Sequence, residues 1–246
     1  MKIPIMKRSY REKFSDNLQN FHVKYKYTDL WIRSNIFSIE MLDYTYELAK
    51  KLYDTLYDYI QVDKHFYESL KPIYSNPKMP KVARIMVEAS RLAEVGPMAS
   101  VAGTFAKIIG ESLIKKFECE KVIIENGGDI YINSKDETRI GIFANFESDF
   151  NKVSLVIGPG EYGVCSSSGK IGHSLSFGNA DIVVVVAKDA AIADAFATKF
   201  ANMVRSVDDI KIVLEKAQNT IGKHIEGIEV AYNDRLGVLG NIKIEM

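Results

Sequence analysis

Residues Gly163 to Asn202 read GVCSSSGKIGHSLSFGNADIVVVVAKDAAIADAFATKFAN, and the fold is decided in this stretch. It divides into three pieces. Cys165 to Gly178 is a loop of serine and glycine with a single histidine. Ile182 to Ala187 is a short, wholly apolar run with four valines, and β-branched residues in so short a run predict a buried strand. Asp189 stands at an N-cap position, and an alanine-rich helix is expected from Asp189 to Arg205. A polar, Gly-rich loop beside a buried strand and a helix is a common frame for a small-molecule site.

Outward from this stretch, the later chain reads mostly as strands. Lys121–Glu125, Asp129–Asn133, Arg139–Ala144, Lys152–Ile157 and Tyr162–Cys165 precede it. A helix over Asp208–Gln218 and strands over Ile225–Ala231 and Val238–Ile244 follow. The earlier chain has a different texture. Phe21–Tyr27 alternates apolar and polar, and Leu30–Ile32 resumes after Thr28-Asp29, which gives two strands. Ser38 caps a long helix to about Gln61, whose stripe is Ile39, Leu42, Tyr46, Ala49, Tyr53, Leu56 and Ile60. Two more helices are expected, over Pro80–Ala93 and Met98–Phe117, parted by Val95-Gly96-Pro97. All 16 glycines lie from Gly96 onward, and ten of the 13 tyrosines fall by Tyr74. The composition therefore shifts near residue 95, but no linker separates the halves. Helices and strands mix without strict alternation, so the class is α+β, in a single domain over residues 1–246.

The charges balance at 32 basic and 32 acidic residues, so no global field favours nucleic acid or a membrane surface. No apolar stretch approaches the length of a membrane helix, and the first residues lack the apolar core of a secretory signal. Two cysteines, Cys119 and Cys165, make no disulfide framework. A cytoplasmic protein is expected; homo-oligomerisation is left open.

Asp194 and Thr198 are four apart on the alanine-rich helix and share a face. They can offer a carboxylate and a hydroxyl to a hard cation such as Mg2+. By spacing alone the same face, continued by Asn202 and Arg205, is a solvated one, because Ile192, Phe196 and Phe200 form the apolar stripe. Against that, Ala191, Ala195 and Ala201 suit a close approach by something else. His173 in its Ser/Gly loop reads as a phosphate donor, a general base or an incidental surface residue. Ser166, Ser167, Ser168 and Gly169 can present hydroxyls and N–H groups to phosphate, with Lys170 as a point charge, or form a plain turn. Asn126, Gly127, Gly128 and Asp129 sit between two strands, either as a ligand-facing turn or as an ordinary hairpin. Val95–Gly103 opens a helix with small residues, and helix N-termini attract anions. Cys165 near His173 raises a thiol nucleophile.

Taken together, VGPMASVAG at Val95–Gly103, ENGGDI at Glu125–Ile130, SSGKIGHSLSFGNAD at Ser167–Asp181 and ADAFATKFAN at Ala193–Asn202 resemble the ApbE superfamily, whose best-known members are Mg2+-dependent FAD:protein FMN transferases. The resemblance implies mixed and antiparallel sheets flanked by helices, in two lobes around a cleft. It places Mg2+ on Asp194 and Thr198. It lines a flavin (FAD) cleft with Asn126–Asp129 and Ser166–Ser174, with His173 and Ser174 included and His173 as the catalytic candidate. The chain departs from the transferase pattern at two places. Val101-Ala102-Gly103 stands where a Lys-Gly-Tyr run is found, and the His-Ile-Ile-Asp-Pro run is shortened to HSLSFG. Three functions stay open: a metal-dependent enzyme acting on a flavin or related diphosphate, a non-catalytic binder of such a small molecule, and a Cys or Ser hydrolase.

Overall fold

The computed structural model describes residues 18–142, 153–169 and 178–245. The main sheet has eight strands, β1 (Gln19–Tyr25), β2 (Thr28–Ser34), β3 (Lys121–Asn126), β4 (Asp129–Ser134), β7 (Gly160–Ser167), β8 (Ile182–Ala187), β9 (Gly227–Tyr232) and β10 (Arg235–Gly240), in that spatial order. Every pairing in it is antiparallel. A second sheet of three strands, β5 (Thr138–Gly141), β6 (Ser154–Ile157) and β11 (Lys243–Glu245), runs β11-β6-β5.

Helices α1 (Ile39–Val62), α4 (Val101–Phe117), α5 (Ala190–Ala201) and α6 (Asp209–Gln218) form a layer on one face of the main sheet, and α3 (Lys81–Ala93) packs on α4 and α5. A one-turn helix α2 (Lys64–Glu68) follows α1. The other face carries the small sheet, across a second core that includes Ile123, Ile132, Leu155 and Val184. This explains the valine run. Val183 and Val185 face the helices, whereas Ile182, Val184 and Val186 face the small sheet. Covered on both sides, β8 has no polar face to alternate, although its neighbours are antiparallel.

The sequence-based elements are found with small shifts. Ser38 caps α1 by accepting from the Met41 N–H, and Asp189 caps α5 by accepting from Ala191 and Ile192. Two expectations are corrected. The alanine-rich helix ends at Ala201 and not at Arg205, because the Gly178-Asn179 backbone packs against its last turn: a Cβ on Gly178 would lie 1.8 Å from the Ala201 carbonyl oxygen. The expected strand Val238–Ile244 is two strands in different sheets, turned at Gly240, whose φ is +99°. Among the described residues no single helix is long and apolar enough to cross a membrane. The pair Lys81–Ala93 and Pro97–Phe117 passes together by length and composition, but bends by 98°.

Candidate functional site

The site is built where three elements meet: the β3–β4 turn, the end of β7 and the crossing of α4 with α5. Gly127 and Gly128, with φ of +72° and +106°, close a two-residue hairpin between Asn126 and Asp129, a turn that needs positive φ at both central positions. The Gly128 N–H donates to Glu125 Oε1 at 2.9 Å, and Ser166 Oγ on β7 donates to the Gly128 carbonyl at 3.1 Å. Asn126 Nδ2 donates to the Ala102 carbonyl at 3.2 Å, which ties the turn to the start of α4. Asn126–Asp129 and Ser166 are thus brought together, with Asp129 paired across the strands to Cys165. Gly169 N–H donates to the Ala180 carbonyl at 3.0 Å, so the end of β7 is held against the residue before Asp181. Lys170, His173 and Ser174 lie outside the described residues.

Asp194 does not meet water. It is 7% exposed, and its Oδ2 accepts the Gly103 N–H at 2.8 Å. The Ala102 N–H also points to this carboxylate. The α4 N-terminus has no side-chain cap of its own, and Asp194 supplies one from another helix. The solvated-face expectation therefore fails, for a steric reason: the two helices touch. A Cβ on Gly103 would sit 2.2 Å from the Ala190 carbonyl oxygen and 2.8 Å from Asp194 Cβ. The small residues flanking the Asp194–Thr198 pair admit α4. One turn along, Thr198 Oγ1 donates to the Ala99 carbonyl at 3.5 Å. A carboxylate, a hydroxyl and a main-chain carbonyl, all hard oxygen donors, gather at the start of α4. Sequence reasoning missed Ala99 and the two α4 amides. Their signal was the helix N-terminus at Val95–Gly103, and the anion it attracts is the protein's own Asp194.

Burial pushes the Asp194 carboxyl up to about 7, against the N–H groups of Gly103 and Ala102, which favour its charged form. Asp129 is held well above the usual carboxylate range, first by burial and then by the charge of Asp194. Cys165 is fully buried, and its Sγ donates to the Ala190 carbonyl at 3.3 Å. Burial, and then the charges of Asp129 and Asp194, push its thiol up from the ordinary range. A fully buried thiol is poorly placed to act as a nucleophile. Both cysteines are free and buried. Among the described residues no group of three or more His, Cys, Asp and Glu side chains is arranged to hold a metal, so hydroxyl and main-chain oxygens have to complete any cation site.

Comparison with known proteins follows this geometry. The chain is 41% identical over 193 residues to a UPF0280 protein of Methanococcus maripaludis strain C5, covering 76% of this chain and 77% of that protein. It is 42% identical over 192 residues to a UPF0280 protein of Methanothermobacter thermautotrophicus, covering 76% and 73%. Among solved structures, the apo flavinyl transferase ApbE of Pseudomonas stutzeri superposes with a TM-score of 0.55 at 11% identity, covering 93% of this chain and 96% of that one. The apbe protein of Thermotoga maritima does so with a TM-score of 0.55 at 13% identity, covering 92% and 96%. At these identities the likeness carries the fold alone. The family model described as AbpE bacteria matches residues 11–223, and with that match the chain belongs to this family and has the ApbE fold.

Proposed function

We propose that this protein binds a flavin nucleotide, FAD or a related nucleotide diphosphate, together with Mg2+. The observation that carries the reading is the convergence of Asp194, Thr198 and the Ala99 carbonyl at the start of α4. Three hard oxygens suit Mg2+, which takes few protein ligands and keeps sites for phosphate and water. With Oδ2 held by Gly103, the other oxygen of Asp194 is the one offered to the ion. Bound there, Mg2+ supplies charge neutralisation and polarisation of the diphosphate. Asn126, Gly127, Gly128 and Asp129 form one wall of the binding cleft, and Ser166, Ser167, Ser168 and Gly169 form another, with hydroxyls and backbone N–H groups for the ligand. His173 and Ser174, which follow in sequence, are assigned to the same site, with His173 as the proton-transfer group if chemistry occurs. The names of the solved relatives, flavinyl transferases, support the ligand class. We place the protein in the cytoplasm as a single domain.

Binding without turnover is the reading we favour, because the lysine and the Asp-Pro of the transferase pattern are missing. Transfer of FMN, or hydrolysis of FAD, is the second reading, favoured by the Asp/Thr pair and His173. Thermal melts with FAD, FMN, ATP and NAD, each with and without Mg2+, test the class. Ligand at a hundred times its dissociation constant adds about 2.7 kcal/mol, roughly a 5 °C shift for a chain of this size. The expected result is an FAD shift that requires Mg2+, with FAD recovered intact by chromatography. Release of AMP moves the assignment to the enzyme. No shift with any of the four ligands removes the flavin-nucleotide reading and leaves only the fold.

A further inference from the structure

Asp129 carries a buried oxygen that the protein leaves unused. The residue is 7% exposed, and among the described residues its Oδ1 has no hydrogen-bond partner. A buried acceptor without a donor costs about 1–3 kcal/mol, so such a group asks for an explanation. Its setting makes the position less favourable still. The charge that most perturbs Asp129 is that of Asp194, a second buried carboxylate of the same sign. Three of the four lysines on the two crossing helices are committed elsewhere, Lys116 of α4 to Glu40 among them. Lys107 of α4 pairs with Asp189 and with Glu111, and Lys199 of α5 pairs with Glu94. The Ser166 N–H and the Cys165 thiol, which also lies 3.3 Å from the Ala190 carbonyl, favour the charged form of Asp129, but neither brings a positive charge, and Oδ1 is left without a partner among the described residues. Two carboxylates are thus held near one another in a dry corner, and one of them keeps an oxygen with no donor. A positive species between them supplies what the protein does not.

We propose that Asp129 Oδ1 is a further ligand for the divalent cation, so that the site presents two carboxylates and not one. This rests on the Mg2+ reading of Asp194 and Thr198. It changes the expected behaviour of the site. With a single carboxylate, the ion's charge is balanced only when the nucleotide's diphosphate arrives. Two carboxylates neutralise a divalent ion on their own, so the protein holds the ion before any nucleotide binds. The ion is a small, hard cation, because Asp129, Asp194, Thr198 and the Ala99 carbonyl offer it only oxygen.

The test is a titration with Mn2+ alone, following loss of the free-ion signal by electron paramagnetic resonance. Wild type is compared with Asp129→Asn, Asp194→Asn and, as a buried-acid control on β9, Glu229→Gln. Wild type and Glu229→Gln are expected to bind one Mn2+ without nucleotide, and each of the two Asn variants to lose at least about tenfold in affinity. If Asp194→Asn loses affinity and Asp129→Asn matches wild type, the Asp129 ligand is overturned and the proposed function stands. If wild type binds Mn2+ only when FAD is added, the two-carboxylate site is likewise overturned. If it binds no Mn2+ even with FAD, the underlying metal reading falls with it. Should Asp129→Asn fail to fold, anomalous diffraction from Mn2+-soaked wild-type crystals decides. An ion at about 2.2 Å from Asp129 Oδ1 supports the assignment, and an ion held by Asp194 without Asp129 overturns it.

Discussion

A carboxylate at a helix N-terminus stabilises that helix whether or not it also holds a cation, and substitution at Asp194 can separate the two roles. Asp194→Asn keeps an oxygen for the Gly103 N–H and removes the charge. Asp194→Ala removes the acceptor and leaves the buried Gly103 N–H unpaired, at about 1–3 kcal/mol. The alanine variant is expected to melt about 2–6 °C below wild type, with the asparagine variant in between or level with wild type, and Mg2+ affinity reduced in both. Equal melting temperatures for wild type and Asp194→Ala would show that the cap contributes nothing. Glu229 offers a second test. It is fully buried in β9 with neither carboxylate oxygen hydrogen-bonded among the described residues, and burial raises it from 4.5 to about 7. Because its folded value is the higher one, its contribution is most favourable below pH 4.5 and is lost as pH rises through 7. Glu229→Gln is therefore expected to stabilise the protein by up to roughly 3 kcal/mol at pH 8 and to change little at pH 4. A pH-independent difference between the two proteins would contradict this. Neither role was legible in the sequence. A lone Asp on a helix face and a lone Glu in a strand look solvated until the elements that cover them are known.

Elements carry a further test at their closest approaches. Gly103 and Gly110 lie on the α4 face that meets α5 and β4. A Cβ on Gly110 would sit 2.2 Å from the Tyr131 ring, as close as the Gly103 Cβ to Ala190. Glycine to alanine within a helix ordinarily gains up to about 1 kcal/mol. Here the overlap reverses the sign, and Gly103→Ala is expected to destabilise by about 2 kcal/mol or more, since α4 must lift away from α5. Chemical denaturation of Gly103→Ala measures it, and a stabilised variant would disprove the tight crossing. The elements themselves were well marked. The Ser38 and Asp189 caps, the valine run and the paired glycines of the β3–β4 turn each have a local cause, and each appears where the sequence puts it. What periodicity could not report was the identity of the covering layer. Burial on both sides of β8 comes from helices on one face and a small sheet on the other, and α5 is hemmed in by α4 on what its spacing made a polar face.

At the scale of the molecule, the small sheet closes the second core, and its third strand comes from the far end of the chain. β11 pairs with β6, and Ile242 and Ile244 pack against the core beneath. Removing residues 241–246 is expected to lower the melting temperature by several degrees, through lost burial of two isoleucines. Arg139→Ala, which breaks the exposed pair with Glu245, is expected to leave the melting temperature nearly unchanged. Comparable losses from both changes would mean that the strand is held by charge and not by burial. The expected strand runs straight through Gly240-Asn241, a turn dipeptide whose positive φ at Gly240 sends β11 to another sheet.

The order of the main sheet also bears on how the protein is made. β2 pairs with β3, and Leu30 opposite Asn126 spans 126 − 30 = 96 residues. At about 5–20 residues per second, a ribosome needs roughly 5–20 s to deliver the partner after β2 has emerged. The β1–β2 hairpin itself closes in microseconds, so it waits through most of that interval with one edge unsatisfied. α1, which packs on β1, is synthesised next and can cover one face, but β3, which pairs with the second edge of Thr28–Ser34, is not made before residue 121. That edge is where a nascent chain of this protein is most open to mispairing with its neighbours on a polysome.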